Sequence, residues 1–281
     1  MDAMLPDLPQ RPPIAQAPVS VVLLALGATS DAAECVSAWK PYLATLARPF
    51  ELLVVPLAKA ATDAVLAEVR QIDVDPACGY GPALQLAFHA TQYPLVVLTT
   101  ADRQFPPAEL KPLLDVIDHV DIAVGCRCVA PPPFWLRALG WIAGLLGRIA
   151  IGLYPSASHG TAGATPWRRR WLARWAFGVR LHDPESPFRL ARREALARIV
   201  LQSRGPFALI EQLAKANHLE MILGEEPVAW TPLPVSPPEP VPFAEDARDL
   251  FHRPNFGPPE LHVPAAEKRE ADPTTPPPVS S

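Results

Sequence analysis

The stretch LVVLTTADRQFPPAELKPLLDVI, residues 95–117, decides how the rest of the chain is read. Leu95 to Leu98 form the kind of short apolar run that fills a strand buried on both faces of a parallel sheet. A polar break follows. Thr99, Thr100, Asp102 and Gln104 fall where such a strand ends, and in open α/β sheets ligands sit at the carboxyl ends of strands. Pro106 and Pro107 then set up a helix start, and Leu110, Leu113, Leu114 and Ile117 recur at the spacing that lays one apolar face on a sheet. A carboxylate on a loop between strand and helix is placed to hold a hard divalent cation against a diphosphate, because oxygen ligands suit Mg2+ or Mn2+. An Asp ahead of a helix also serves as a cap or turn residue, so Asp102 alone does not choose between the two roles.

Upstream, residues 19–26 are a second buried-strand candidate, with residues 27–31 as exit turn and helix cap. Val36, Trp39, Leu43 and Leu46 supply a helical apolar stripe up to Arg48-Pro49. Residues 51–55 read as the next strand, closed by Pro56, and residues 60–70 as a helix. This alternation is the signature of a Rossmann-like, mostly parallel sheet flanked by helices. In DPACGYGPALQLAFHA, Gly79 and Gly81 stand just ahead of a helix that Pro82 can start. Such a turn lets backbone N–H groups approach an anion, and it serves equally as a tight turn with no ligand.

Downstream, residues 121–124 make a further strand ending in Gly125-Cys126-Arg127. Arg127 is positioned either to meet a phosphate with its planar fork or to pair with a carboxylate. The character of the chain then changes across residues 134–180. Trp167, Trp171 and Trp175 are spaced four apart on one helical face, among Arg168, Arg169, Arg170, Arg174 and Arg180. Trp with Arg on an amphipathic helix is the composition of a segment lying in a membrane interface. Two packed helices with a basic edge have the same composition, but the apolar run at 134–154 favours the interface. LHDPESPFRLARREAL then places Asp183, Glu185 and Arg189 in a loop running into a helix, as a base with a phosphate clamp or as an internal salt bridge. Residues 207–217 read as a helix carrying Glu211, and residues 221–230 as a strand containing Glu225-Glu226-Pro227-Val228.

The remaining sequence sets boundaries. Residues 1–17 are Pro-rich and expected to be a flexible lead-in, and residues 231–281 a disordered Pro-rich tail. The 281 residues suffice for one large α/β domain or two small ones, with 49% hydrophobic and 19% charged residues. A net charge of −4 argues against a general nucleic-acid binder. The four cysteines lack paired metal spacing and read as reduced thiols in a cytoplasmic protein. No export signal is visible, and Arg137 and Arg148 interrupt the longest apolar stretch.

In order and spacing, the segments VSVVLLAL, CGYGPALQLAF, VVLTTADRQFPPAEL, DIAVGCR, DPESPFRLARREAL and IEQLAKANHLEMILGEEPVAW resemble a family 2 glycosyltransferase of the dolichol-phosphate mannosyltransferase-like branch. The resemblance implies a GT-A-like domain over residues 18–230. It also implies a nucleotide-sugar donor, a divalent metal (Mg2+ or Mn2+) and transfer of a hexose to a polyprenyl phosphate or similar acceptor. Attachment would be peripheral, at the cytoplasmic face of the membrane. Carried over by position, Asp102 matches the second Asp of the family's Asp-X-Asp and would hold the metal, with Gln104 as a neighbouring ligand. Arg127 and Arg189 would contact phosphate beside the Gly79–Gly81 turn, and Asp183 would act as base or acceptor-orienting group.

The chain departs from that pattern at the donor site. Thr100 stands where the first Asp is expected, LALGAT replaces the acidic run after the first strand, Pro56 and Leu57 replace an Asp pair, and Ala77 replaces an Asn. Each charge-assisted hydrogen bond lost this way costs on the order of 1.5–3 kcal/mol. A catalytically degenerate scaffold or regulatory partner on the same fold is therefore the alternative expectation. A dinucleotide-binding or nucleotidyltransferase sheet would need a Gly-rich loop after the first strand, where LALGATSDA offers only Gly27.

Overall fold

The computed structural model describes residues 13–25, 32–57, 69–75, 78–127, 166–232 and 243–258. Among these, seven strands form one sheet: β1 (Val19–Ala25), β2 (Phe50–Pro56), β3 (Arg70–Gln71), β4 (Leu95–Thr100), β5 (Ile122–Cys126), β6 (Arg189–Arg192) and β7 (Leu223–Pro227). Their spatial order is β3-β2-β1-β4-β6-β5-β7. Strand β6 runs antiparallel between β4 and β5, and the other pairings are parallel. The helices are α1 (Ala32–Thr45), α2 (Tyr80–Ala90), α3 (Leu110–Val116), α4 (Trp167–Ala176), α5 (Arg193–Leu196), α6 (Ala208–His218) and α7 (Phe243–His252).

The layering follows from the strands. Every residue of β1, VSVVLLA, is buried, and the two-residue period sends Val22 and Leu24 to one face and Val21 and Leu23 to the other. A strand that is apolar on both sides needs a helical layer on each face. On one face Trp39 and Leu43 of α1 and Leu113 of α3 close the core. On the other, Ala83 and Leu84 of α2 and Ile210 and Leu213 of α6 do so.

Several expectations are corrected. Strand β4 continues through Thr99 and Thr100, which pair with Leu23 and Leu24 of β1; β-branched residues fit that pleated, buried position. The DPESPFRLARREAL loop enters strand β6 before its helix, because Arg189–Arg192 fills the gap between β4 and β5. Arg70 belongs to β3 and Val69 leads into it, while residues 60–68, the 27–31 turn and the 134–154 run lie outside the described residues.

Both ends of the described chain are more ordered than their proline content suggests. In the lead-in, the Ile14 and Ala15 N–H groups donate to Asp118 Oδ1 at 2.6 and 2.8 Å. In the stretch expected to be disordered, residues 243–258 form α7 and an extension, with Ala247 and Leu250 buried. Phe243, Ala247 and Leu250 recur at helical spacing, and Asp246 accepts the Gly205 N–H at 2.8 Å. Residues 1–12, 233–242 and 259–281 lie outside the described residues. Cys35 and Cys78 are free thiols, whereas Cys126 is disulfide-bonded and not reduced as expected. Among the described residues no helix is long and apolar enough to cross a membrane.

Candidate functional site

Because β6 is antiparallel to β4 and β5, its first residue lies at the edge where those strands end. Arg189 pairs in register with Leu98 of β4 and with Val124 of β5, and Val124 pairs with Glu225 of β7. One edge therefore gathers the Asp102 loop, Arg127, the 182–188 loop and the end of β7. Phe105 and Phe188 join two of these loops: their rings stack at 4.9 Å and 11°. The Thr231 N–H donates to the Gln104 carbonyl at 2.8 Å and pins the segment after β7 alongside.

Asp102 sits in the turn after β4, partly exposed. Its carboxylate is oriented from three sides. The Thr100 hydroxyl donates to Oδ1 at 2.6 Å, the Gln104 N–H to Oδ1 at 3.1 Å, and Gln104 Nε2 to Oδ2 at 3.1 Å. Arg103 takes a positive φ of 59° and pairs with Glu34 on α1. Thr100, the departure from Asp-X-Asp, thus serves as a hydrogen-bond donor that holds Asp102 in place.

Among the described residues no three His, Cys, Asp or Glu side chains are grouped to hold a metal ion. A cage built by the protein alone is therefore not present in that set. Gln104 Oε1, however, is buried without a hydrogen-bond partner, a state that costs free energy unless something polar meets it. The same amide turns its Nε2 toward Asp102, so Oε1 faces away from the carboxylate and the two oxygens do not converge; Asp102 is the oxygen ligand this strand end offers, which suits an ion that takes most of its shell from phosphate and water.

The expected base and clamp are arranged otherwise. Asp183 is 2% exposed and both its oxygens face Arg127: Nε donates to Oδ2 at 2.7 Å, Nη2 to Oδ1 at 2.9 Å, and the Arg127 N–H to Oδ2 at 3.1 Å. Glu225 accepts the Asp183 N–H at 2.7 Å and fixes the loop. Asp183 is thus one half of a buried ion pair and not an available base. Arg127 keeps Nη1 outside this fork, and its guanidinium lies 5.9 Å from the Trp230 ring centroid. Arg189, expected to contact phosphate, is 1% exposed and donates to the carbonyls of Pro184, Ser186 and Leu209 and to Gln212 Oε1 at 2.6–2.8 Å. It ties the loop to α6. Burial pulls its pKa down to about 10, which leaves it charged at neutral pH.

The glycine turn is also occupied by the chain itself. Gly79 has φ 92°, and a Cβ there would lie 2.6 Å from the Arg204 carbonyl oxygen; a Cβ on Gly81 would overlap the Ser203 carbonyl. The Tyr80 N–H donates to that Arg204 oxygen at 2.7 Å. Segment 203–205 therefore fills the place expected for an anion, and the glycines permit that close approach.

One residue was missed in the sequence, and a second, Glu185, stood there only beside Asp183. Tyr80 is buried, and Arg189, Asp102 and Arg127 all act on its phenol electrostatically, while burial pushes its pKa up. Tyr80 opens α2 between Gly79 and Gly81; an aromatic between two helix-starting glycines was the available signal. Glu185 is the second acid of the 182–188 loop. Burial raises its pKa, Arg169 opposes the rise, and Arg169 Nη1 lies 3.2 Å from Oε1. A cleft of about 470 Å3 lined by Phe88, His89, Pro94, Arg193 and Leu196 opens at the opposite edge of the sheet, where β4 begins and β6 ends.

No protein-family profile matches the sequence, and no curated protein matches it. Solved structures do. Glucosyl-3-phosphoglycerate synthase from Mycobacterium tuberculosis in complex with phosphoglyceric acid is similar at 18% identity with a TM-score of 0.53, over 85% of this chain and 79% of that one. The fold is GT-A-like. The same synthase with Mn2+, UDP and glucosyl-3-phosphoglycerate gives 17% identity and a TM-score of 0.54, over 85% and 78% of the two chains. With Mn2+ and UDP-glucose it gives 16% and 0.52, over 85% and 78%. At such identity the likeness is one of GT-A-like fold, and the chemistry of this chain rests on its own residues.

Proposed function

We propose that this protein is a family 2-type glycosyltransferase that moves a hexose from a nucleotide-sugar to a polyprenyl phosphate or another phosphorylated acceptor, at the cytoplasmic face of a membrane. The observation that carries the reading is Asp102, held by Thr100 and Gln104 at the carboxyl end of a central strand of a GT-A-like sheet. Support comes from the similar synthase, whose structures contain Mn2+, UDP, UDP-glucose and phosphoglyceric acid. The dolichol-phosphate mannosyltransferase-like branch is supported by motif order alone.

In this reading Asp102 would hold a divalent ion, with Gln104 joining it only if its amide turns Oε1 toward the carboxylate, and the ion when bound would offset diphosphate charge. Arg127 Nη1 offers a donor to a phosphate oxygen. The Arg127–Asp183 fork keeps the arginine's plane fixed, so less rotamer freedom is lost on binding. Where the acceptor is a hydroxyl, Glu185 with its raised pKa suits proton uptake; a phosphate acceptor needs no base.

Thermal melts with UDP- and GDP-sugars, with and without Mn2+, test the proposal. Saturation at about 100 times Kd stabilises the native state by roughly 2.7 kcal/mol, so melting should rise by several degrees. The rise should vanish in Asp102→Ala, whose partly exposed side chain can be removed without unfolding. Wild-type melts unmoved by every donor would overturn the proposal. A second reading, a non-catalytic scaffold on this fold, is favoured by Thr100 in place of a carboxylate and by Asp183 being spent on Arg127. Donor hydrolysis that disappears in Asp102→Ala would exclude it.

A further inference from the structure

The outer face of α4 is at odds with a water-facing surface. Ala173 turns inward and Leu172 packs against the core, while Arg168, Trp171, Arg174 and Trp175 are exposed. Trp171 is 59% and Trp175 70% exposed, one helical turn apart, with ring centroids 6.2 Å from each other. Beside them opens a recess of about 440 Å3 whose lining includes Arg174, Arg180, Asn217 and Met221. Among the described residues neither Arg174 nor Arg180 forms an ion pair. Ile222, 49% exposed, adds an apolar side chain next to Met221 of that lining.

We propose that this face docks on an anionic phospholipid bilayer, with Trp171 and Trp175 entering the headgroup boundary and a lipid phosphate seated between Arg174 and Arg180. The choice of occupant follows from charge and composition. The helix reads WRRRWLARWA, with four arginines and no acid; Arg169 faces Glu185, but Arg174 and, beyond the helix, Arg180 give the outer face a positive field that attracts a negative surface, and a flat apolar partner would leave those two charges unsatisfied. Indole rings favour the bilayer interface, where an apolar body and an N–H tip are both accommodated. A ten-residue helix spans about 15 Å, too short to cross a bilayer, so it lies along the surface. The recess supplies the phosphate contact that a helix face alone lacks: two guanidinium groups around a cavity of single-headgroup size. Docking of this kind does not require sugar transfer, and its test is blind to donor binding.

The experiment is co-sedimentation of the full chain with phosphatidylcholine vesicles, with and without phosphatidylserine, at low and high salt. Binding should appear with the anionic lipid and weaken as salt screens it. Trp171→Ala with Trp175→Ala should lower affinity by at least about tenfold, and Arg174→Gln with Arg180→Gln by roughly fivefold per arginine. Leu86→Ser, which removes an exposed apolar side chain on α2, should leave binding unchanged. Circular dichroism melts establish that each variant is folded. Brominated lipids should also quench wild-type tryptophan fluorescence, a readout that needs no variant. The proposal is overturned if wild type ignores anionic vesicles, if both double variants bind as wild type, or if Leu86→Ser loses as much. It is equally overturned if soluble glycerol phosphate binds while vesicles do not.

Discussion

Asp183 and Arg127 lie 56 residues apart and spend their charges on one another. The sequence pairs Asp183 with Arg189, six positions on, because local spacing is all it displays. Folding instead brings in the residue at the end of β5 and leaves Arg189 to four acceptors of its own. That difference decides what a substitution does. Asp183→Ala leaves a buried guanidinium without its counter-charge, which costs about 3–5 kcal/mol, and urea denaturation should show the midpoint falling accordingly. A solely catalytic Asp183 would leave the midpoint in place. Asp102 belongs to the opposite class: it is partly exposed, its partners are within two residues, and its removal is expected to cost ligand binding with little loss of stability. The residue-level site was half legible. Asp102 and Gln104 announced themselves by standing at a strand end, whereas the partners of Asp183, Arg127 and Arg189 are set by β6 slotting between β4 and β5.

At the scale of elements, the junction between α2 and segment 202–205 shows why strands and helices were readable and the loops were not. Apolar runs and stripes specify β1, β2, β4, β5, α1 and α3, since burial on a fixed period leaves its mark in the sequence. A glycine leaves no such mark of what it approaches. Gly79 and Gly81 read as an anion turn, yet the carbonyls of Ser203 and Arg204 lie against them. The segment is held there by Glu211, which accepts the Gln202 and Ser203 N–H groups at 2.9 and 2.8 Å, and by Asp246 of α7. Backbone fixed from behind cannot yield to a new Cβ. Gly81→Ala is therefore expected to destabilise the protein by more than about 2 kcal/mol, measured by chemical denaturation, although alanine is the better helix former. A gain in stability would show that segment 202–205 moves freely.

At the scale of the molecule, buried or tethered charges hold both described ends to the sheet. At the N-terminal end, the N–H groups of Ile14 and Ala15 bond Asp118 and hold its carboxyl below its ordinary value of 3.8. A carboxylate with a lowered folded pKa stabilises above the unfolded value and loses that contribution as pH falls through the folded one. Melting temperatures of wild type and Asp118→Asn should accordingly differ at neutral pH, by on the order of 1 kcal/mol in stability, and converge in acid. At the C-terminal end the tie is Lys215, which is 1% exposed beside a fully buried Glu211. Its Nζ lies 2.5 Å from Glu211 Oε1 and donates to the Val200 and Asn255 carbonyls at 2.6 Å each. One ammonium thus offsets the charge that orders segment 202–205 and also anchors the extension of α7. Lys215→Met keeps the length and apolar stem but strands the Glu211 carboxylate with only backbone donors. The expected loss is about 3–5 kcal/mol, with faster hydrogen exchange in residues 253–257 as their anchor goes. Lys215→Met combined with Glu211→Gln should recover much of the stability, because no unpaired buried charge remains, but should not restore protection at 253–257. Recovery of both would mean that packing of α7, and not the lysine, holds the C-terminal extension.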